Sequence, residues 1–268
     1  MAGFDTTWLD LREPADRRAR DTGLARDAAR ILAKPVALAV DLGCGTGSTA
    51  RALSPFLSGP IRWRLVDNDP RLLAAAVARL GPSTQCSGAE AVQLDLTQID
   101  ALPVTDASLV TASALFDLCS ADFIRRLAAR LAPQRIGLYA ALNYDGIVTW
   151  DEAHPLDGEV VALFNRHQQT DKGFGPALGP HAAAKLTESF RQLGYAVAEA
   201  QSPWILSAGD EMLQAECMRG MAGAVAELAV LAPDALQAWL DWRLDACRRG
   251  ATCHVGHVDI LASAKETH

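Results

Sequence analysis

The chain has 268 residues, half of them hydrophobic, and a formal net charge of −7. That is enough apolar material to bury a core without a disulfide or metal staple. The acidic balance argues against nucleic acid or an anionic membrane as partner, because phosphate contacts need a basic footprint. Cysteines 44, 86, 119, 217, 247 and 253 show no C-x-x-C pairing, so reduced thiols are expected. No run of eighteen apolar residues occurs and the first residues lack an apolar signal region, so the expected location is cytoplasmic.

Residues 1–35 form an expected N-terminal helical cap, with a single helix from about Pro14 to Ala33 stopped by Pro35. The uncharged run Val36-Ala37-Leu38-Ala39-Val40 has the character of a buried parallel strand. It leads into Asp41-Leu42-Gly43-Cys44-Gly45-Thr46-Gly47-Ser48-Thr49, a glycine turn followed by an Ala-rich helical pattern that stops near Pro55. Glycines here let backbone approach a ligand where a Cβ would clash. A second strand, Ile61–Val66, runs straight into Asp67 and Asn68, where a carboxylate can accept from ribose hydroxyls. Asp69 and Pro70 supply an N-cap and first-turn proline for a helix that Gly81-Pro82 ends. Glu90–Leu94 is a third expected strand, closing at Asp95 and Leu96.

The fourth strand covers residues 107–113 and ends in Ala114-Leu115-Phe116-Asp117. Ser120 caps a helix whose apolar face is Phe123/Ile124, Leu127, Ala128 and Leu131, and Pro133 stops it. A fifth strand spans Arg135–Leu142, a sixth Tyr195–Glu199, and a last one lies near His254–Ala262. Such alternation predicts an α/β fold: a doubly wound, mostly parallel seven-stranded sheet with helices on both faces. The remainder falls into helical and loop insertions at about 143–180 and 207–250. The second insertion holds helices Gly209–Leu231 and Asp234–Arg249 divided by Pro233. Its Met212, Met218 and Met221 suit core packing, with a lid or a homodimer contact as the alternative.

The glycines fall at 43, 45 and 47 with Ser48 in the sixth position, which departs from the dinucleotide pattern G-x-G-x-x-G. With Asp41 ahead of them, they resemble motif I of class I S-adenosylmethionine (SAM)-dependent methyltransferases. The resemblance covers residues 36–142 well and the rest loosely. It implies a methyltransferase domain over 36–268, with SAM as cofactor. It places Asp41, Gly43, Cys44, Gly45 and Gly47 against the methionine part and sugar, and Asp67 and Asn68 at the ribose. Asp95 and Leu96 fall at the adenine, and Ala114 beneath the methyl group. In many members an N-terminal helix closes over the cofactor, so Arg12 or Arg20 could grip a carboxylate.

The resemblance also implies a methyl acceptor near the exit of strand five. The aromatic and polar mixture of 143–180 suits a small molecule. A base is needed only for a weakly acidic nucleophile, and the candidates are Asp117, His167, His154 and Tyr144. No metal site is expected: Cys253-His254-x-x-His257 lies in a strand, where that spacing sends the two histidines to opposite faces. A nicotinamide-dependent oxidoreductase and a non-catalytic partner protein of the same fold remain as alternatives.

Overall fold

β1 (Leu38–Leu42) is buried along its whole length, because strands flank it on both sides and helices cover both faces. In this computed structural model, which describes residues 5–81 and 85–265, β1 is the switch point of the sheet. Parallel to it run β2 (Ile61–Asp67) and then β3 (Cys86–Gln93) on one side. On the other lie β4 (Leu109–Ser113) and β5 (Gly137–Trp150), also parallel. The sheet continues through β8 (Cys253–Ala264) to β6 (Tyr195–Gln201), so the order is β3-β2-β1-β4-β5-β8-β6. β8 is antiparallel to both neighbours.

Among the described residues the sheet has eight strands where seven are predicted. The addition is β7 (Trp204–Leu206), which pairs Trp204 with Val255 on the early half of β8, while β6 takes the later half. A twelve-residue β8 is long enough to hold both on one edge. β5 also differs: it does not end at Leu142 but runs on to Trp150, with register breaks after Ala140 and Tyr144. At the first break Leu142 takes a φ of 55°, and the Asn143 amide donates to the carbonyls of Ala140 and Val258 in place of ladder bonds.

Nine helices are formed by the described residues. The predicted single N-terminal helix is two: α1 (Thr6–Ala19, with Pro14 inside it) and α2 (Thr22–Ile31). Arg20 turns extended between them, and the Asp21 side chain caps α2 by accepting from the Leu24 N–H. α3 (Ser48–Leu53) follows the glycine turn, and α4 (Pro70–Leu80) starts from the Asp69 cap and closes at Gly81; Pro82 lies outside the described residues. α5 (Ala121–Leu131) begins at Ser120. The segment 143–180 is largely ordered structure, with β5 continuing into it and α6 spanning Asp157–Gln168. α7 (Ala182–Gln192), α8 (Glu211–Glu227) and α9 (Pro233–Arg248) complete the set.

Three apolar clusters result. One lies between the sheet and α5 and α7, and a second between the sheet and α2, α3 and α4. The third gathers α1, α6, α8 and α9 around the extended ends of β5 and β8. No helix of the described residues is long and apolar enough to cross a membrane.

Candidate active site

The carboxyl ends of β1, β2 and β4 open on a cleft of about 1120 Å³, part of it open to solvent. The topology dictates this position: the chain leaves β1 toward one side and β4 toward the other, so their loops part. Gly43, Gly45 and Gly47 have φ of 61°, 52° and 82°, a region that disfavours any side chain. A Cβ on Gly45 would stand 3.2 Å from Leu9 of α1, so the turn is also the floor on which the cap helix rests. Cys44 lines the cleft beside it, its thiol pushed up by burial and the nearby Asp41 and Asp67 charges.

Asp67 is held by backbone. Its Oδ2 accepts from the Gly45 N–H at 2.9 Å and its Oδ1 from the Asp69 N–H at 3.0 Å. Each oxygen keeps a lone pair for a ligand hydroxyl. Asn68, Leu72, Asp95 and Leu96 continue the same wall. Asp95 does two things there: its Oδ1 closes a turn by accepting from the Thr97 N–H and hydroxyl, and the residue still faces the cleft. Opposite, Ser113, Ala114 and Leu115 line the exit of β4, with Ala114 held at a φ of 48°.

Beneath this end lies a pair of buried charges that the protein does not satisfy. Asp41 is fully buried; Oδ1 accepts from the Thr111 hydroxyl at 2.6 Å, and Oδ2 has no partner. Burial pushes its carboxyl up to about 7, against the Thr111 hydroxyl and the Arg20 charge. Arg20 is buried too. Its Nη2 donates to the Ser113 hydroxyl at 2.9 Å, while Nε and Nη1 donate to nothing. One orphaned acceptor and two orphaned donors therefore sit behind the cleft, a state that costs free energy unless a ligand completes it.

The cap closes over the cleft from α1, which contributes Leu9, Arg12 and Asp16. Three ion pairs tie that helix down: Asp10 to Arg79 of α4, Glu13 to Arg51 of α3 at 2.5 Å, and Arg18 to Asp210 at 2.5 Å. From the other side Leu118 and Phe174 reach in, and Phe174 is steadied by an edge contact with Phe123 at 5.0 Å.

The structure places the predicted donor-side residues together. Gly43, Cys44, Gly45, Asp67, Asn68, Asp95, Leu96 and Ala114 all line the cleft, with Asp41 and Arg20 buried behind it and Gly47 in the turn below. The four candidate bases are dispersed. Asp117 sits in the helical turn Phe116–Leu118 between two lining residues. Tyr144 is buried on β5 and donates its hydroxyl hydrogen to Asn165 Oδ1 at 2.7 Å. His154 stands apart: its Nδ1 accepts from the Leu156 N–H and its ring leans on Trp242 at 5.2 Å, so it braces a turn. His167 also stands apart on α6, between Glu227 Oε2 at 2.8 Å and Lys172 Nζ at 3.3 Å. Phe174 belongs to the 143–180 segment expected to meet the acceptor, whereas Leu9 and Asp16 line the cleft without an expected role and belong to no recognisable motif. His254 is exposed and His257 buried, as their spacing in a strand requires; no metal-holding group of three or more His, Cys, Asp or Glu occurs among the described residues.

Residues 39–134 match the sequence model of a family described as a methyltransferase domain. Over these residues the chain carries a methyltransferase domain. No curated protein matches it in sequence. Among solved structures the chain is similar to a SAM-dependent methyltransferase from Geobacter sulfurreducens in complex with S-adenosyl-L-homocysteine. The two share 16% identity over 98% of this chain and 100% of that one, with a TM-score of 0.50. It is also similar to the YcgJ protein from Bacillus subtilis, at 15% identity over 91% of this chain and 98% of that one, with a TM-score of 0.51. At these identities the likeness is one of fold. The match at 39–134 takes in the glycine turn, Asp67, Asp95 and the β4 exit, which are the parts that shape the cleft.

Proposed function

We propose that this chain moves the methyl group of S-adenosylmethionine to a small-molecule acceptor. The observation that carries the reading is the unsatisfied pair behind the cleft: an amino acid's zwitterion offers a carboxylate to Arg20 Nε and Nη1 and an ammonium to Asp41 Oδ2. No dinucleotide carries such a group. Asp67, already oriented by two backbone N–H groups, takes the ribose hydroxyls with Asn68 beside it. Asp95 accepts from the adenine amino group, with Leu72 and Leu96 as apolar walls. Gly43, Cys44, Gly45 and Gly47 let the turn follow the methionine chain, and Ala114 marks the methyl end.

When bound, the sulfonium supplies a methyl group with its leaving group built in. The protein's part is to align and to exclude water, worth on the order of 7–11 kcal/mol of barrier. Residues 1–35 act as the cap over the donor, and 36–268 carry the sheet, with the 143–180 and 207–250 insertions enclosing the acceptor. Asp117 and Tyr144 are the candidate groups on the acceptor side; His154 and His167 are held elsewhere. The half-buried, aromatic surroundings of Leu118 and Phe174 support a small acceptor. Six cysteines with no C-x-x-C pairing, together with the acidic charge, suit a cytoplasmic enzyme.

Calorimetric titration with SAM and with S-adenosyl-L-homocysteine tests the reading. Micromolar binding of both, weakened at least tenfold in Arg20→Ala, is the expected result; no heat from either overturns it.

A further inference from the structure

Among the other buried polar atoms without partners are Oδ1 of Asp117 and Nδ1 of His257, and neither residue lines the donor cleft. They come from distant parts of the chain, the turn after β4 and the middle of β8, yet they share neighbours. Asp117 stands between Leu115 and Leu118, which line the cleft with Arg12, and Arg12 lies 5.0 Å from the Trp204 ring, itself 5.0 Å from that of His257. Tyr144 extends the cluster, its ring edge-on to His257 at 6.3 Å. Arg12 in turn lines the cleft, so the cluster adjoins the donor rather than forming a separate cavity.

Charge and hydrogen bonding narrow what fits. Arg12 gives Nε and Nη2 to Asp16 at 3.0 and 3.2 Å, and Asp16 is fixed by the Trp204 indole N–H at 3.0 Å. The arginine is therefore matched by one carboxylate, and an ionised Asp117 leaves a negative excess that repels an anionic acceptor. Burial pushes the Asp117 carboxyl up to about 6, while its own backbone N–H and Arg12 oppose the shift. Burial, with Arg12, drives His257 down to about 4, so its ring is neutral. The walls are flat and apolar: Trp204 lies 5.0 Å and Trp8 6.0 Å from the Arg12 guanidinium, and Phe164 packs edge-on to Tyr144 at 5.7 Å.

We infer that this cluster is the acceptor's berth, and that it takes an uncharged aromatic or comparably flat molecule whose methyl-accepting atom bears a hydrogen, a hydroxyl or an amine, donated to Asp117. The inference rests on the donor reading above and adds the acceptor's chemistry to it. A buried carboxylate oxygen with no donor is costly, and only a ligand that brings a hydrogen relieves it. An ether or a tertiary amine of the same shape brings none.

Ligand-observed NMR titration with phenol and anisole, and with aniline and N,N-dimethylaniline, tests this in the presence of S-adenosyl-L-homocysteine. A charge-assisted hydrogen bond makes phenol and aniline bind roughly tenfold tighter than their methylated counterparts. In Asp117→Asn the preference falls below about threefold, while binding of S-adenosyl-L-homocysteine changes less than about twofold. His257→Phe, which keeps the ring contacts with Trp204 and Tyr144, provides a second variant and weakens phenol without restoring anisole. Equal binding of phenol and anisole to the unaltered protein, binding of neither, or a preference that survives in Asp117→Asn overturns the inference. Failure of the donor reading shows separately, as absent heat with S-adenosyl-L-homocysteine alone.

Discussion

Along the donor cleft the shape is set by backbone. Three glycines at positive φ make the turn, Gly45 and Asp69 N–H groups aim Asp67, and Ala114 sits in a left-handed conformation at the β4 exit. Beyond β5 the structure is held by side chains instead. Arg243, almost fully buried, donates to both oxygens of Asp157 and to the Glu152 carbonyl, and lies 4.0 Å from the Trp150 ring and 4.7 Å from Trp242. Trp239 donates its indole N–H to the same Asp157 at 2.9 Å. A backbone-built site depends on a few positions where only glycine or a precise acid will do. A side-chain-built layer can be rebuilt with other residues of similar volume.

The contrast can be broken most forcefully in the added layer. Asp157→Ala strands a buried guanidinium and should cost about 3–5 kcal/mol of stability, read by denaturant unfolding. At a temperature where the variant is folded, its affinity for S-adenosyl-L-homocysteine should be unchanged; a parallel loss would show that the two regions are not separable. Asp67→Ala should do the reverse. It removes acceptors for two ribose hydroxyls at ~1.5 kcal/mol each, and donor affinity should fall roughly 100-fold by calorimetry, with a smaller change in stability.

Asp41 sharpens the comparison through pH. Its carboxyl lies at about 7 in the folded chain against an ordinary 3.8, so the fold holds the proton more tightly than the unfolded chain does. The associated stability is complete below the ordinary value and is lost as pH rises through about 7. Asp41→Asn should remove that slope, gaining ~3 °C in Tm on the wild type at pH 8 but not at pH 5. Donor binding runs the other way: an ammonium favours the ionised carboxylate, so affinity in the wild type should rise up to roughly tenfold from pH 6 to pH 8 and stay flat in the variant. The smallest effect belongs to His167→Gln, on the exposed Glu227 pair. Stability should move by less than about 0.5 kcal/mol and donor affinity not at all.

The donor half was legible because its rules are local. Strand, glycine turn and acid recur at fixed places, and the Asp69-Pro70 and Ser120 caps mark helix starts that the structure reproduces. What escaped was decided over distance. Asn143-Tyr144-Asp145-Gly146 has the composition of a turn, yet pairing with β8 draws it into β5. The break between α1 and α2 did leave a signal, the Asp21 cap two residues before Gly23, which the continuous apolar pattern around it obscured. His154 and His167 drew attention as histidines in an unusual segment, but one braces a turn and the other bridges Glu227 and Lys172. His257 drew attention only as half of a metal pair; its neighbours Tyr144, Trp204 and Arg12 come from three other segments, which no local spacing could bring together.

β8 lies between β5 and β6, although the chain reaches it last among the strands. During synthesis β6 therefore emerges with no partner and must wait, through α8 and α9, for an interior strand about fifty residues downstream. Until then β5 keeps an open edge of up to fourteen residues, a surface on which nascent chains can pair with one another. Completion of the sheet thus becomes a late event, and chaperone demand for this protein should peak while β6 has left the ribosome and β8 has not.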